Sequence, residues 1–323
     1  MATVVGGLAT SHAFALVDPD IWARGIAGNQ KLYAHRYGYE PPLHPLAAQE
    51  TLPDNKRRFA RVAAGHTRLA AWLANNVDVL LLVGDDQDEQ FGPENLPALA
   101  IFDGPEFSCR DLFHPEAGAT TYRCHAGMAE ELLSQATAAD FDVSVMHELR
   151  NGELKAHAFG PVLRRLDPAA RLQVIPVFVE GIHYPAPSPR RCYEFGRTLR
   201  RAVDSFDVNL RVAVCASGGM SHFSAAFPYA ALEKVSAAPG KYGDIREAFD
   251  RQVLTLLQAG KGKELSNLTN TDLLEQGDVE LRSWLVALGF LGDGVVAQVL
   301  AYEPFYSCIT GVSVVHWPQV TAA

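Results

Sequence analysis

The sequence predicts an α/β fold of three layers, with helices on both faces of a mostly parallel or mixed central sheet. Three observations carry this expectation. Apolar runs rich in Val, Ile and Leu recur along the chain and are nearly continuous, as in strands buried on both faces. Amphipathic segments of helical period lie between them. The two kinds of segment alternate, which favours α/β over α+β.

The elements follow in chain order. Met1 to Thr10 lacks the basic leader of a signal peptide and reads as the first strand. The segment from Ile21 to Asn55 has an irregular texture, with Tyr33, His35, Tyr37, Tyr39, Pro41, Pro42 and Pro45 close together. A long ordered loop of this kind suits surface packing or a lid over a site. Arg57 to Asn75 reads as a helix with Phe59, Val62, Ala63, Leu69, Ala70 and Leu73 inward. Val77 to Val83 is a buried strand running out into Gly84-Asp-Asp-Gln-Asp-Glu89. Phe141 to Met146 is a second, ending at His147, and Leu172 to Val179 a third, ending in Glu180-Gly-Ile-His183. Pro187-Ser-Pro-Arg190 opens a helix that places Cys192, Phe195, Leu199 and Val203 on one face. Leu210 to Cys215 is a strand broken by the turn Ala216-Ser-Gly-Gly-Met-Ser-His222. Val279 to Leu291, rich in Leu, Trp and Val, is a further helix. No repeat, low-complexity tract or linker divides the chain, so residues 1–323 are expected to form a single domain, with 21–55 as the lid or insert.

Composition narrows the function classes. Hydrophobic residues make up 48% and charged residues 20%, as in a globular protein. The net charge of −9, without a basic stripe, argues against a binder of nucleic acid. No apolar stretch reaches the roughly 18 residues needed to span a bilayer, so no membrane partner is expected. The five cysteines are scattered and show no C-x-x-C spacing. That pattern suits a reducing compartment, and the cytoplasm is the expected location.

Chemistry-bearing groups gather where strands end, which is where α/β proteins bind ligands. They are His12, the acidic run Asp85 to Glu89, His147, His157, His183 and His222. Glu280 follows a glycine at a helix start, so it can complement the helix dipole or point toward the sheet rim. Histidine, histidine and one carboxylate with open positions is the ligand set of non-haem Fe(II) oxygenases, and a further histidine can serve as acid and base.

At these residues the chain resembles the class III extradiol ring-cleaving dioxygenases, the family of the protocatechuate 4,5-dioxygenase β subunit. The likeness runs through Gly7-Leu-Ala-Thr-Ser-His-Ala13, Val79 to Phe91 with Asn95-Leu-Pro-Ala98, and Phe141 to Met146 with His157-Ala-Phe-Gly-Pro161. It continues through Val174-Ile-Pro-Val177 with Tyr184-Pro-Ala-Pro-Ser-Pro-Arg-Arg-Cys192 and Gly196, then Gly218-Gly-Met-Ser-His222, then Gly277-Asp-Val-Glu-Leu281 with Trp284. The resemblance implies a single non-haem Fe(II), with His12 and Glu280 as ligands. It implies His222 as the catalytic acid and base, and His157 as a second catalytic group near substrate oxygen or O₂. His183 and Ser221 are expected at the substrate, though His183 could also replace a ligand.

The implied second histidine ligand is missing, because the aligned tripeptide is Asp85-Asp86-Gln87. Gln87 can bind as a weak ligand, Asp85, Asp86 or Glu89 can take its place, or the site holds no iron. The expected reaction is cleavage of a catechol or aminophenol ring by O₂, next to its vicinal donors. A catalytically silent subunit of the same fold, or a metal-dependent hydrolase or lyase in the same cleft, are the alternatives. The expected partners are a small aromatic substrate and O₂, in a homo-oligomer or a pair with a second subunit. A ring carboxylate would need a partner such as Lys155, Arg190 or Arg191.

Overall fold

A computed structural model describes residues 1–149, 156–225 and 241–318. At its centre four parallel strands lie side by side in the order β7 (Gln173–Val179), β2 (Val79–Gly84), β8 (Arg211–Ser217) and β1 (Thr3–Thr10). Their register aligns the carboxyl ends. Gly84 pairs with Phe178, Val83 with Ala216, and Thr10 with Ser217. Residues 11–12, 85–87 and 218–222 therefore leave the sheet along one rim.

Beyond β1 the sheet continues antiparallel through β10 (Thr310–Trp317) and β9 (Gln298–Phe305). On the other side β7 contacts β3 (Leu99–Phe102) and β5 (Ala119–Arg123), which carry β6 (Ser144–Met146) and β4 (Glu106–Arg110). The sheet is thus mixed, with a parallel heart. The buried strand expected over Phe141–Met146 shrinks to β6, an edge strand whose Val145 is half exposed.

Helices cover both faces. On one, α5 (Pro189–Ser205) packs against α8 (Leu281–Leu291), with α3 (Ala126–Ala138) beside them. All 11 residues of α8 are buried, which accounts for its apolar composition on every side. Its approach to α5 depends on two glycines. A methyl group on Gly196 would overlap the Val286 carbonyl, and one on Gly289 the Tyr193 carbonyl. On the opposite face α2 (Leu52–Asn76) buries Val62, Leu69 and Leu73 against β9 and β10, with α4 (Gly160–Leu166) alongside.

The segment expected to be irregular contains a helix, α1 (Trp22–Tyr37), stopped by Gly38 in the left-handed region. Gly25, Gly28 and the aromatic residues Trp22, Tyr33 and Tyr37 obscure its periodicity. Burial of Trp22 and Tyr33 holds it in place. Among the described residues the remaining α-helices are α6 (Glu247–Gln258) and α7 (Asn270–Gln276). Among the described residues no helix is long and apolar enough to cross a membrane.

Candidate active site

His12 leaves β1 directly beside Ser217, the last residue of β8. Its Nδ1–H donates to Ser217 Oγ at 3.0 Å, and the Ser217 hydroxyl donates in turn to the Ala158 carbonyl. The imidazole is therefore anchored through Nδ1, and its Nε2 is the nitrogen that carries the lone pair whenever the ring is neutral. That nitrogen lies 3.4 Å from Glu280 Oε1 and 3.9 Å from Asp85 Oδ1. Glu280 reaches the rim from the start of α8, and the Gly219 N–H donates to its Oε2. Gly218 makes this passage possible, since a methyl group there would sit 2.9 Å from Glu280 Cβ.

The three side chains His12, Asp85 and Glu280 each offer a ligand atom, and these atoms lie within 4.8 Å of one another. All three are buried. Asp85 Oδ1 has no hydrogen-bond partner among the described residues, an expensive condition for a buried carboxylate without a cation. The electrostatics agree. Burial opposes a charge on His12, yet the Glu280, Asp85 and Glu89 carboxylates raise its pKa to about 9. Burial would likewise raise Glu280, but His12, His222 and the Gly219 N–H hold it down at about 2. Burial and then the Glu280 charge push Asp85 well above the usual carboxylate range. The donor set fits a divalent cation, which would take the place of the protons that these shifts favour on His12 and Asp85.

The other expected residues separate into two groups. His222 and His157 line the same cavity as His12, Gln87 and Glu280, a space of about 620 Å³. The ring of His222 donates from Nδ1 to the Met220 carbonyl at 2.9 Å, which leaves Nε2 3.5 Å from Glu280 Oε1. The ring of His157 stands edge-on to His12 at 5.1 Å and to Phe113 at 5.4 Å. Burial and the neighbouring His12 lower its pKa to about 3, so it is neutral.

His183 and Ser221 are not at this cavity. Carboxylates occupy both ring nitrogens of His183, Glu180 at 3.1 Å and Asp88 at 2.9 Å. Ser221 is fully buried, donating its N–H to Asp250 and accepting the Arg246 N–H at its hydroxyl. Among the carboxylates that could take the place of the missing histidine, only Asp85 meets His12 and Glu280. The Asp86 carboxylate accepts the N–H groups of Glu89, Gln90 and Phe91 and so organises the turn. Glu89 accepts the His157 N–H at 2.6 Å. His147 is exposed beside Asp103. Arg190 and Arg191 are exposed at the start of α5, where Arg191 stacks over Phe141, and Lys155 lies outside the described residues.

Sequence reasoning missed Arg24 and Arg36, both on α1 and both lining the cavity. Neither has a carboxylate partner among the described residues. Their only signal was their place inside the suspected lid.

Comparison with known proteins follows the same lines. Residues 44–315 match the family described as the catalytic LigB subunit of aromatic ring-opening dioxygenase. A gallate dioxygenase of Pseudomonas putida is 27% identical over 194 residues, which cover 58% of this chain and 52% of the relative. The chain thus spans about half the length of that protein. A 2,3-dihydroxyphenylpropionate/2,3-dihydroxicinnamic acid 1,2-dioxygenase of Paraburkholderia phymatum is 25% identical over 320 residues, 88% of this chain and 95% of the relative. Its namesake from Burkholderia vietnamiensis is 25% identical over 274 residues, 74% and 84% of the two chains.

Proposed function

Because the chain belongs to the family of catalytic LigB subunits of aromatic ring-opening dioxygenases, we propose that it cleaves a catechol- or aminophenol-type ring with O₂ at the rim of β1, β2 and β8. The observation that carries this reading is the meeting of His12, Glu280 and His222 on one 620 Å³ cavity. A single non-haem Fe(II) held by His12 and Glu280 would acidify the substrate hydroxyl and bring O₂ beside the ring.

The chain's own residues do the rest. His222, tied to Met220 through Nδ1, has Nε2 available to take the substrate proton and return it later. Neutral His157 offers a hydrogen bond to a substrate or dioxygen atom from the adjoining wall. Phe113 gives the cavity an apolar wall, with α1 acting as its lid. The two guanidinium groups on α1 suit a ring bearing an anionic arm, as in the compounds for which the relatives are named.

All five cysteines are free and buried, which supports a cytoplasmic location. Exposed Leu32, Leu43, Leu46 and Leu52 support assembly into a homo-oligomer or with a second subunit.

Oxygen uptake by the Fe(II)-loaded chain with catechol, gallate and 2,3-dihydroxyphenylpropionate tests the reaction. The expected result is one O₂ consumed per substrate, both atoms in a ring-opened product, and no uptake by His12→Ala. No uptake with any of these by protein that does bind metal would favour a silent subunit instead.

A further inference from the structure

Gln87 stands where the family resemblance implies an imidazole ligand, but its amide does not behave as one. Its nitrogen lies 3.0 Å from His12 Nε2, 3.3 Å from Glu280 Oε1 and 3.5 Å from Asp85 Oδ2. The ionised Glu280 carboxylate only accepts, so the amide presents its NH₂ to this cluster and turns its oxygen away. The Gln87 NH₂ group thus lies within hydrogen-bonding distance of the same three side chains that offer ligand atoms to a cation. At Glu280 Oε1, and at His12 Nε2 once the ring is neutral as a ligand must be, the NH₂ group and a cation compete for the same lone pairs. Asp85, meanwhile, is buried with Oδ1 unpartnered and facing His12.

We propose that Asp85 replaces the missing histidine as the third metal ligand, and that Gln87 competes with the metal instead of binding it. This inference rests on the metal-dependent reading above. The site is then one imidazole and two carboxylates, richer in oxygen and more negative by one charge than a two-histidine site. Such a set is well suited to oxygen-preferring cations such as Mn(II). Gln87 stabilises the three ligands against one another, so every metal bound must first displace its amide.

The test is titration of the metal-free full chain with Mn(II) alone, following free Mn(II) by electron paramagnetic resonance. Wild type is expected to bind one Mn(II). Asp85→Asn, which keeps the shape and removes the charge, is expected to weaken binding by tenfold or more. Gln87→Ala is expected to bind about as well as wild type or several-fold better. A loss of less than threefold in Asp85→Asn, or of more than threefold in Gln87→Ala, would overturn the assignment. So would a wild type that binds no Mn(II).

Thermal unfolding without metal separates ligation from folding. Asp85→Asn is expected to melt no lower than wild type, because it removes a buried unpaired carboxylate. A lower melting temperature would make Asp85 a structural residue and overturn the proposal. Failure of ring cleavage with Mn(II) binding intact would sink the catalytic reading and leave the ligand assignment standing.

Discussion

The hydroxyl of Ser217 stands 3.0 Å from Nδ1 of His12 and donates its own hydrogen bond to the Ala158 carbonyl. Two parallel strands, held in register at Thr10 and Ser217, thereby decide which imidazole nitrogen faces Asp85 and Glu280. Groups that orient a metal-binding histidine in this way typically contribute 10- to 100-fold in affinity. Ser217→Ala is therefore expected to weaken metal binding by ~10–100-fold with the fold retained. Metal titration checked against circular dichroism reads both quantities, and unchanged affinity would remove Ser217 from the account.

His222 is expected to act on protons and not on metal. His222→Phe should keep wild-type metal affinity and lose turnover by ~10²–10⁴-fold, the usual contribution of a general acid and base. If the variant loses its metal instead, His222 is a ligand and the division of roles is wrong.

Arg24 lines the cavity from α1. Arg24→Gln is expected to raise KM about 10-fold for catechols that carry a carboxylate, a loss near 1.4 kcal/mol. It should leave unsubstituted catechol unaffected. An equal rise for both kinds of substrate would show that Arg24 supports the lid and reads no charge.

His66 gives the fold an acid limit of its own. It is buried on α2 with its Nε2 2.7 Å from Thr10 Oγ1, and burial followed by the nearby Arg165 lowers its pKa to about 3. The unfolded chain binds a proton here below about pH 6.5 that the native state refuses. Stability from this group is thus complete above about pH 6.5 and declines as pH falls toward 3, by at most ~1.4 kcal/mol per unit. Urea unfolding of wild type and His66→Gln at pH 7 and pH 5 isolates the effect. The stability gap between the two proteins should narrow at pH 5, and a gap that stays constant would contradict it.

The parts of the site that were legible in the sequence share one local cause. His12, His222 and Glu280 each lie at a strand end or helix start beside glycine or small residues, and such junctions point at the rim whatever the rest of the fold does. Asp85 and Gln87 were legible only as members of an acidic run. How the two meet His12 depends on Glu280, far along the chain, and on turn bonds made by Asp86. His183 misled because its neighbours Glu180 and Asp88 saturate it, and Ser221 because its motif turns inward toward Asp250.

The central sheet was readable through β2, β7 and β8, whose buried runs are continuous. The edge strand β6 was overstated, since one exposed face leaves it short. Helix α1 escaped notice because its glycines and aromatics give no clear apolar stripe. Its position comes from long-range packing, such as Tyr33 against Tyr242 at 4.7 Å.

The central claim is that one divalent metal sits among His12, Asp85 and Glu280 in a ring-opening dioxygenase site. Crystals soaked with Mn(II), with anomalous diffraction measured on both sides of the manganese edge, test it most directly. The expected result is a single strong peak bonded to His12 Nε2 and to oxygens of Asp85 and Glu280, with the Gln87 amide displaced. A peak bonded to Gln87 and not to Asp85, or no peak at the rim at all, would contradict it.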